Sequence, residues 1–124
     1  MFTPRELEIA ASAVVRLFRK WDLSDGTACQ ILGNLAPETY SAWQRSDFGQ
    51  IDQDVGIRLS LLIGIHKCLR TLFKDPERGY SWIRIANSAF DHLPPLEVMA
   101  KGDIASLAYV RARLETMMTD VSSW

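Results

Sequence analysis

Steps of three and four between apolar residues run through almost the whole chain, and no segment alternates convincingly with period two. From Arg5 to Trp21 the apolar positions are Leu7, Ala10, Ala11, Val14, Val15, Phe18 and Trp21, which make one helix face. Ahead of them, Thr3-Pro4-Arg5-Glu6 reads as an N-cap, a proline in the first helical position and a glutamate placed to close a capping box. Ser24 or Asp25 caps a short helix through Leu32. Gly33-Asn34 ends it, because glycine takes the left-handed C-cap conformation at little cost. Pro37 opens the next helix, to about Arg45, and Asp47 to Gln50 is a loop. Asp52 starts a long helix to Phe73 with apolar residues on almost every side, which predicts burial all round. Lys74-Asp75-Pro76 stops it. Pro76 to about Ala86 is a short helix with Tyr80, Trp82 and Ile83 inward, and Asn87 to Pro95 a turn region. Leu96 to Ala100 is another short helix, closed by Gly102. Asp103 caps a last helix through Met118, with Ile104, Leu107, Val110 or Arg111, Leu114 and Met117 in register. The fold class is therefore all-α, with about seven helices built around 52–73. The loop Ser46–Gln50 divides an N-terminal unit, 1–50, from a second, 51–124.

Of the 124 residues 48% are apolar and 23% charged, which suits a packed core and excludes a disordered chain. The longest apolar stretch, Leu59 to Ile65, is far short of the ~20 residues of a membrane span. No apolar run stands behind a basic start at the N-terminus, so the expected location is the cytoplasm. Cys29 and Cys68 are then free thiols. The net charge of −1 argues against indiscriminate phosphate binding. Its distribution is uneven. Glu38, Asp47, Asp52 and Asp54 face only Arg45 within 34–54, whereas Arg58, Lys67, Arg70, Lys74 and Arg78 outnumber Asp75 and Glu77 just after.

The stretch 26–43 has the parts of a helix-turn-helix. Ala28 is a small residue where two helices would cross, Gly33 sits at the turn, Leu35 plugs it, and Tyr40 and Trp43 anchor the second helix. That second helix offers Thr39, Ser41, Gln44 and Arg45 to a DNA groove or backbone. The acidic window around them weighs against it.

The stretch 80–115 carries Trp82, Asn87, Phe90, Pro95-Leu96, Gly102-Asp103 and Val110-Arg111-Ala112-Arg113-Leu114. In order and spacing it resembles the toxin-binding domain of the Xre/MbcA/ParS-like antitoxins. Ala86 stands where a proline commonly precedes the asparagine, and Asp91 where a glycine usually follows the apolar residue. Read physically, Asn87, Pro95, Gly102 and Asp103 are turn and cap residues, and Trp82 and Phe90 are core. The resemblance implies an antitoxin that binds and neutralises a cognate toxin, in the best-known branch a RES-domain enzyme that consumes NAD⁺. It also implies, for many members, repression of their own operon through the helix-turn-helix. The surface residues expected to meet the toxin are Tyr109, Arg111, Arg113 and the terminal Trp124, since Trp, Tyr and Arg dominate interface energies.

Catalysis finds no support in the sequence. His66 and Cys68 are two apart on a helix and face different sides, Cys29 and His92 lie in separate segments, and no glycine-rich phosphate loop is present. No metal, cofactor or reaction is expected. Excess apolar surface on 52–73 and in 80–118 predicts a homodimer. The alternative function is a stand-alone helix-turn-helix regulator of transcription.

Overall fold

Thr3 caps the first helix as its spacing requires. Its hydroxyl accepts the Glu6 N–H at 3.1 Å, and its own N–H donates to the Glu6 carboxylate at 2.8 Å. The computed structural model describes residues 1–122. The helices are α1 (Pro4–Lys20), α2 (Asp25–Ile31), α3 (Pro37–Gln44), α4 (Gln53–Leu72), α5 (Pro76–Trp82), α6 (Pro95–Met99) and α7 (Ile104–Ser122), with a 3-10 turn at Ser88–Phe90. Among the described residues there is no strand, and the fold is all-α. No described helix is long and apolar enough to cross a membrane.

The long helix α4 is the centre, flanked by α1 and α7. Two glycines let them come close. A methyl group at Gly56 would lie 2.5 Å from Leu7 Cδ2, and one at Gly64 would lie 2.8 Å from the Arg111 guanidinium carbon. Leu59, Leu62, Ile65, Cys68 and Leu69 of α4 are buried. Burial is not all-round, however: Ile57 is 39% exposed and Leu61 and Ile63 are only half-buried. Periodicity predicts which residues are apolar, but only neighbouring helices decide which sides are covered.

The core is one cluster. It takes Phe18, Trp21, Ile31, Tyr40 and Trp43 from before the Ser46–Gln50 loop and Leu62, Ile83, Phe90 and Leu107 from after it. Two arginines hold backbone carbonyls, and Arg84 ties the same two regions together. The Arg84 guanidinium donates to the carbonyls of Trp21 (2.6 Å) and Asp22 (3.0 Å). That of Arg58 grips the carbonyl of Gly102 at 3.2 and 3.3 Å.

Two helix ends differ from the sequence reading. α5 ends at Trp82, before Ala86, because its last turn tightens: the Arg84 and Ile85 N–H groups donate to Ser81 and Trp82, each at 3.1 Å. The Ile83 carbonyl accepts the Leu96 N–H at 2.9 Å, so a distant residue takes the place of a further helical turn. α7 runs past Met118 to Ser122.

The segment between α5 and α6 is a tight turn. Asn87 Oδ1 accepts the Ala89 N–H at 2.8 Å, and the Leu93 N–H donates to Phe90 at 3.0 Å. Asp91 and His92 between them hold φ of 56° and 63°, a turn of the I′ kind. Asp91 thus occupies the left-handed conformation that glycine takes most easily, and aspartate is one of the few side chains that tolerate it.

Candidate partner-binding surfaces

The turn and α7 together build the surface around Tyr109. Phe90 is fully buried, its ring 6.0 Å from that of Trp82 and 5.9 Å from that of Tyr109. Both contacts are edge-on, the favourable arrangement for aromatic rings. Tyr109 itself is 42% exposed, and its hydroxyl donates to the Ala89 carbonyl at 3.0 Å. A cavity of about 260 Å³ opens here, lined by Phe90, Asp91, Lys101, Ser106 and Tyr109 among others. The remaining motif residues hold this surface in place. Asn87 caps the 3-10 turn, Pro95 opens α6 and is buried, and the Leu96 N–H pins α6 to α5. Gly102 turns the chain at φ 84°, and Asp103 Oδ1 accepts the Ser106 N–H at 3.1 Å. Hydrogen bonding from Ser106, its side chain first and then its N–H, holds the Asp103 carboxyl below its usual range.

Of the residues expected to meet a toxin, Tyr109 and Arg113 are one helical turn apart and exposed on the same side of α7. Arg111 is not with them. It points to the other flank, half-buried over Gly64, and pairs with Glu115 at 2.9 Å. Trp124 lies outside the described residues.

The residues expected to read DNA lie on α3, which follows α2 through a turn with Gly33 and Asn34 at φ 83° and 62°. Ala28, Tyr40 and Trp43 are buried as anchors, and Leu35 is half-buried. Thr39, Ser41 and Arg45 are exposed. Yet the polar groups are engaged locally. Arg45 folds back onto the Ser41 hydroxyl and carbonyl at 3.2 and 3.3 Å. Gln44 donates to Asp25 at 3.4 Å, and its carbonyl accepts from Arg19 at 3.4 Å. Burial, and then Asp25, push the Tyr40 phenol up to about 12.

Both thiols are buried, and burial raises both above the usual cysteine range, Asp25 and Glu38 adding to Cys29 and Glu115 to Cys68. A raised thiol is a poor nucleophile. Among the described residues no three His, Cys, Asp or Glu side chains are grouped to hold a metal.

The sequence reading missed the seam between α1 and α4. Two cavities lie along it, of about 300 and 190 Å³, and both are walled by Ile63. The cation excess after residue 55 was its only trace in the sequence, because the α1 half of the wall comes from far away in the chain.

No family model and no solved structure matches the chain. An uncharacterised protein of Sinorhizobium fredii (strain NBRC 101917 / NGR234), y4oB, is 34% identical over 112 residues, spanning 90% of this chain and 83% of its own length. At that identity and coverage, this chain belongs to the same family as y4oB.

Proposed function

We propose that the chain is a non-catalytic antitoxin that docks a cognate toxin on α7 and holds it inactive in the cytoplasm. The toxin class is the one the motif resemblance implies, a RES-type enzyme that consumes NAD⁺. The observation that carries this reading is the aromatic run Trp82–Phe90–Tyr109, which passes from half-buried Trp82 through fully buried Phe90 to an exposed tyrosine one turn from exposed Arg113. A rigid Tyr loses little entropy on docking, and Tyr beside Arg is the composition of an interface hot spot. A homodimer is part of the reading, supported by exposed Ile57 and half-buried Leu61 on α4.

The alternative, a stand-alone regulator, would depend on Thr39, Ser41, Gln44 and Arg45. Three of these, Ser41, Gln44 and Arg45, are tethered within the chain, and Asp25, Glu38 and Asp47 lie in or beside α2 and α3. A duplex needs phosphate neutralisation that such a face does not supply.

The test is co-expression with the protein encoded by the neighbouring frame, read as growth rescue and as a complex of defined mass. Tyr109→Ala with Arg113→Glu should abolish both while leaving the fold intact by circular dichroism. No complex with the unaltered chain, together with tight, salt-sensitive operator binding, would establish the regulator instead.

A further inference from the structure

Helices α1 and α4 lie side by side, and the two cavities of their seam make one groove. Its half-buried floor is Ala10, Ala13 and Ile63, over the buried Leu7 and Leu17, with Ser60 and Gly64 leaving the α4 side low. From Leu7 to Lys20 it is about 20 Å long, the rise of nearly four helical turns. Its walls carry Arg16, Lys20 and Lys67, with Arg111 already paired to Glu115, against one lining carboxylate, Glu6. Glu6 is already bonded to the Thr3 N–H, and that bond holds its carboxyl below the usual range. Among the described residues Arg16 donates to the Ser12 hydroxyl, at 2.8 Å. His66 opens into the same groove with Nδ1 buried and without a hydrogen-bond partner. Burial, then the nearby cations Lys20 and Arg70, keep its imidazole below the usual range. So strong an excess of cations stands out in a chain whose net charge is −1.

We propose that the seam between α1 and α4 is a docking groove for an acidic amphipathic helix of a protein partner, its apolar stripe on the Ala10–Ala13–Ile63 floor and its carboxylates against Arg16, Lys20 and Lys67. The floor decides for a helix over nucleic acid: a phosphate backbone would meet the cations but leave the apolar floor bare, whereas an amphipathic helix covers both. The length suits a helix of about 14 residues. The groove stands off the Tyr109–Arg113 face, with Arg111 alone of the earlier candidates reaching it, so it does not depend on the antitoxin reading.

The test selects a displayed library of helical peptides of about 14 residues, randomised at every position, on the immobilised full-length chain. The enriched peptides should be net negative with apolar residues at steps of three and four. Binding of the best one, read by fluorescence anisotropy, should fall at least about tenfold in Lys20→Glu with Lys67→Glu. It should fall comparably in Ser60→Trp, which fills the groove from an exposed position. Circular dichroism checks that each variant folds. A library that enriches nothing, or peptides without that pattern, overturns the proposal. So does binding indifferent to both variants, or a DNA duplex that binds through the same lysines in their place.

Discussion

Replacing Gly102 by alanine should be among the most damaging single-methyl changes in the protein, and a second glycine supplies its control. Gly102 holds φ 84°, where a side chain costs about 1–2 kcal/mol. The added methyl would also stand 2.6 Å from the Gln30 carbonyl oxygen and 4.0 Å from Gly33 Cα. Gln30 is in α2, so no rotamer change relieves the contact; α2 and the start of α7 must move apart. That movement strains the Arg58 hydrogen bonds to the Gly102 carbonyl, and such overpacking costs about 1–3 kcal/mol. The two terms together come to about 2–5 kcal/mol. Gly49 also has positive φ, 57°, but nothing lies within 4 Å of the position of its missing methyl. Gly49→Ala should therefore cost only the conformational term, about 1 kcal/mol. Urea unfolding followed by tryptophan fluorescence measures both. Calorimetry should show midpoints lowered by roughly 14 °C and roughly 4 °C. Equal losses in the two variants would refute the claim that close approach of α2, and not backbone conformation, makes this residue glycine.

Phe90→Ala empties a fully buried site between Trp82 and Tyr109 and should cost about 3–5 kcal/mol by chemical denaturation. Glu6 and Asp103 both titrate below their ordinary values when folded, so the stability they add is present above the unfolded carboxyl pKa and is lost as pH falls through the lower folded value. Carboxyl-carbon NMR should show Glu6 rising only part of the way toward the ordinary range in Thr3→Ala, which removes the hydroxyl but keeps the N–H that holds the carboxylate. For His66 the folded imidazole is lowered, so stability should fall as pH drops below the unfolded histidine value. His66→Gln should flatten that part of the profile of stability against pH. Cys29 and Cys68 are buried with raised thiols, and neither should react with a thiol reagent at neutral pH until denaturant is added.

Much of the architecture could be read from single residues. Thr3, Ser24 and Asp103 cap their helices through the hydrogen bonds their side chains predict, and Gly33 and Gly102 adopt the positive φ that marks a stop. These are local devices, fixed by atoms three or four residues apart, so no knowledge of distant chain is needed. Pro37, Pro76 and Pro95 each stand in the first turn of a helix for the same reason. The candidate surface was legible only in part. Tyr109 and Arg113 share a face by helical spacing, but Arg111 left them for Gly64. A glycine on α4 made room there, and that depends on the crossing of two helices.

The sequence by itself determined that this chain is all-α, where its helices start, and which residues are apolar, because caps, prolines and periodicity act within a turn or two. Tertiary structure alone decided which apolar positions stay in solvent, where α5 stops, and that cations from α1 and α4 share one groove. Those outcomes depend on which helices pack side by side, and residues far apart in the chain meet only when the core has formed.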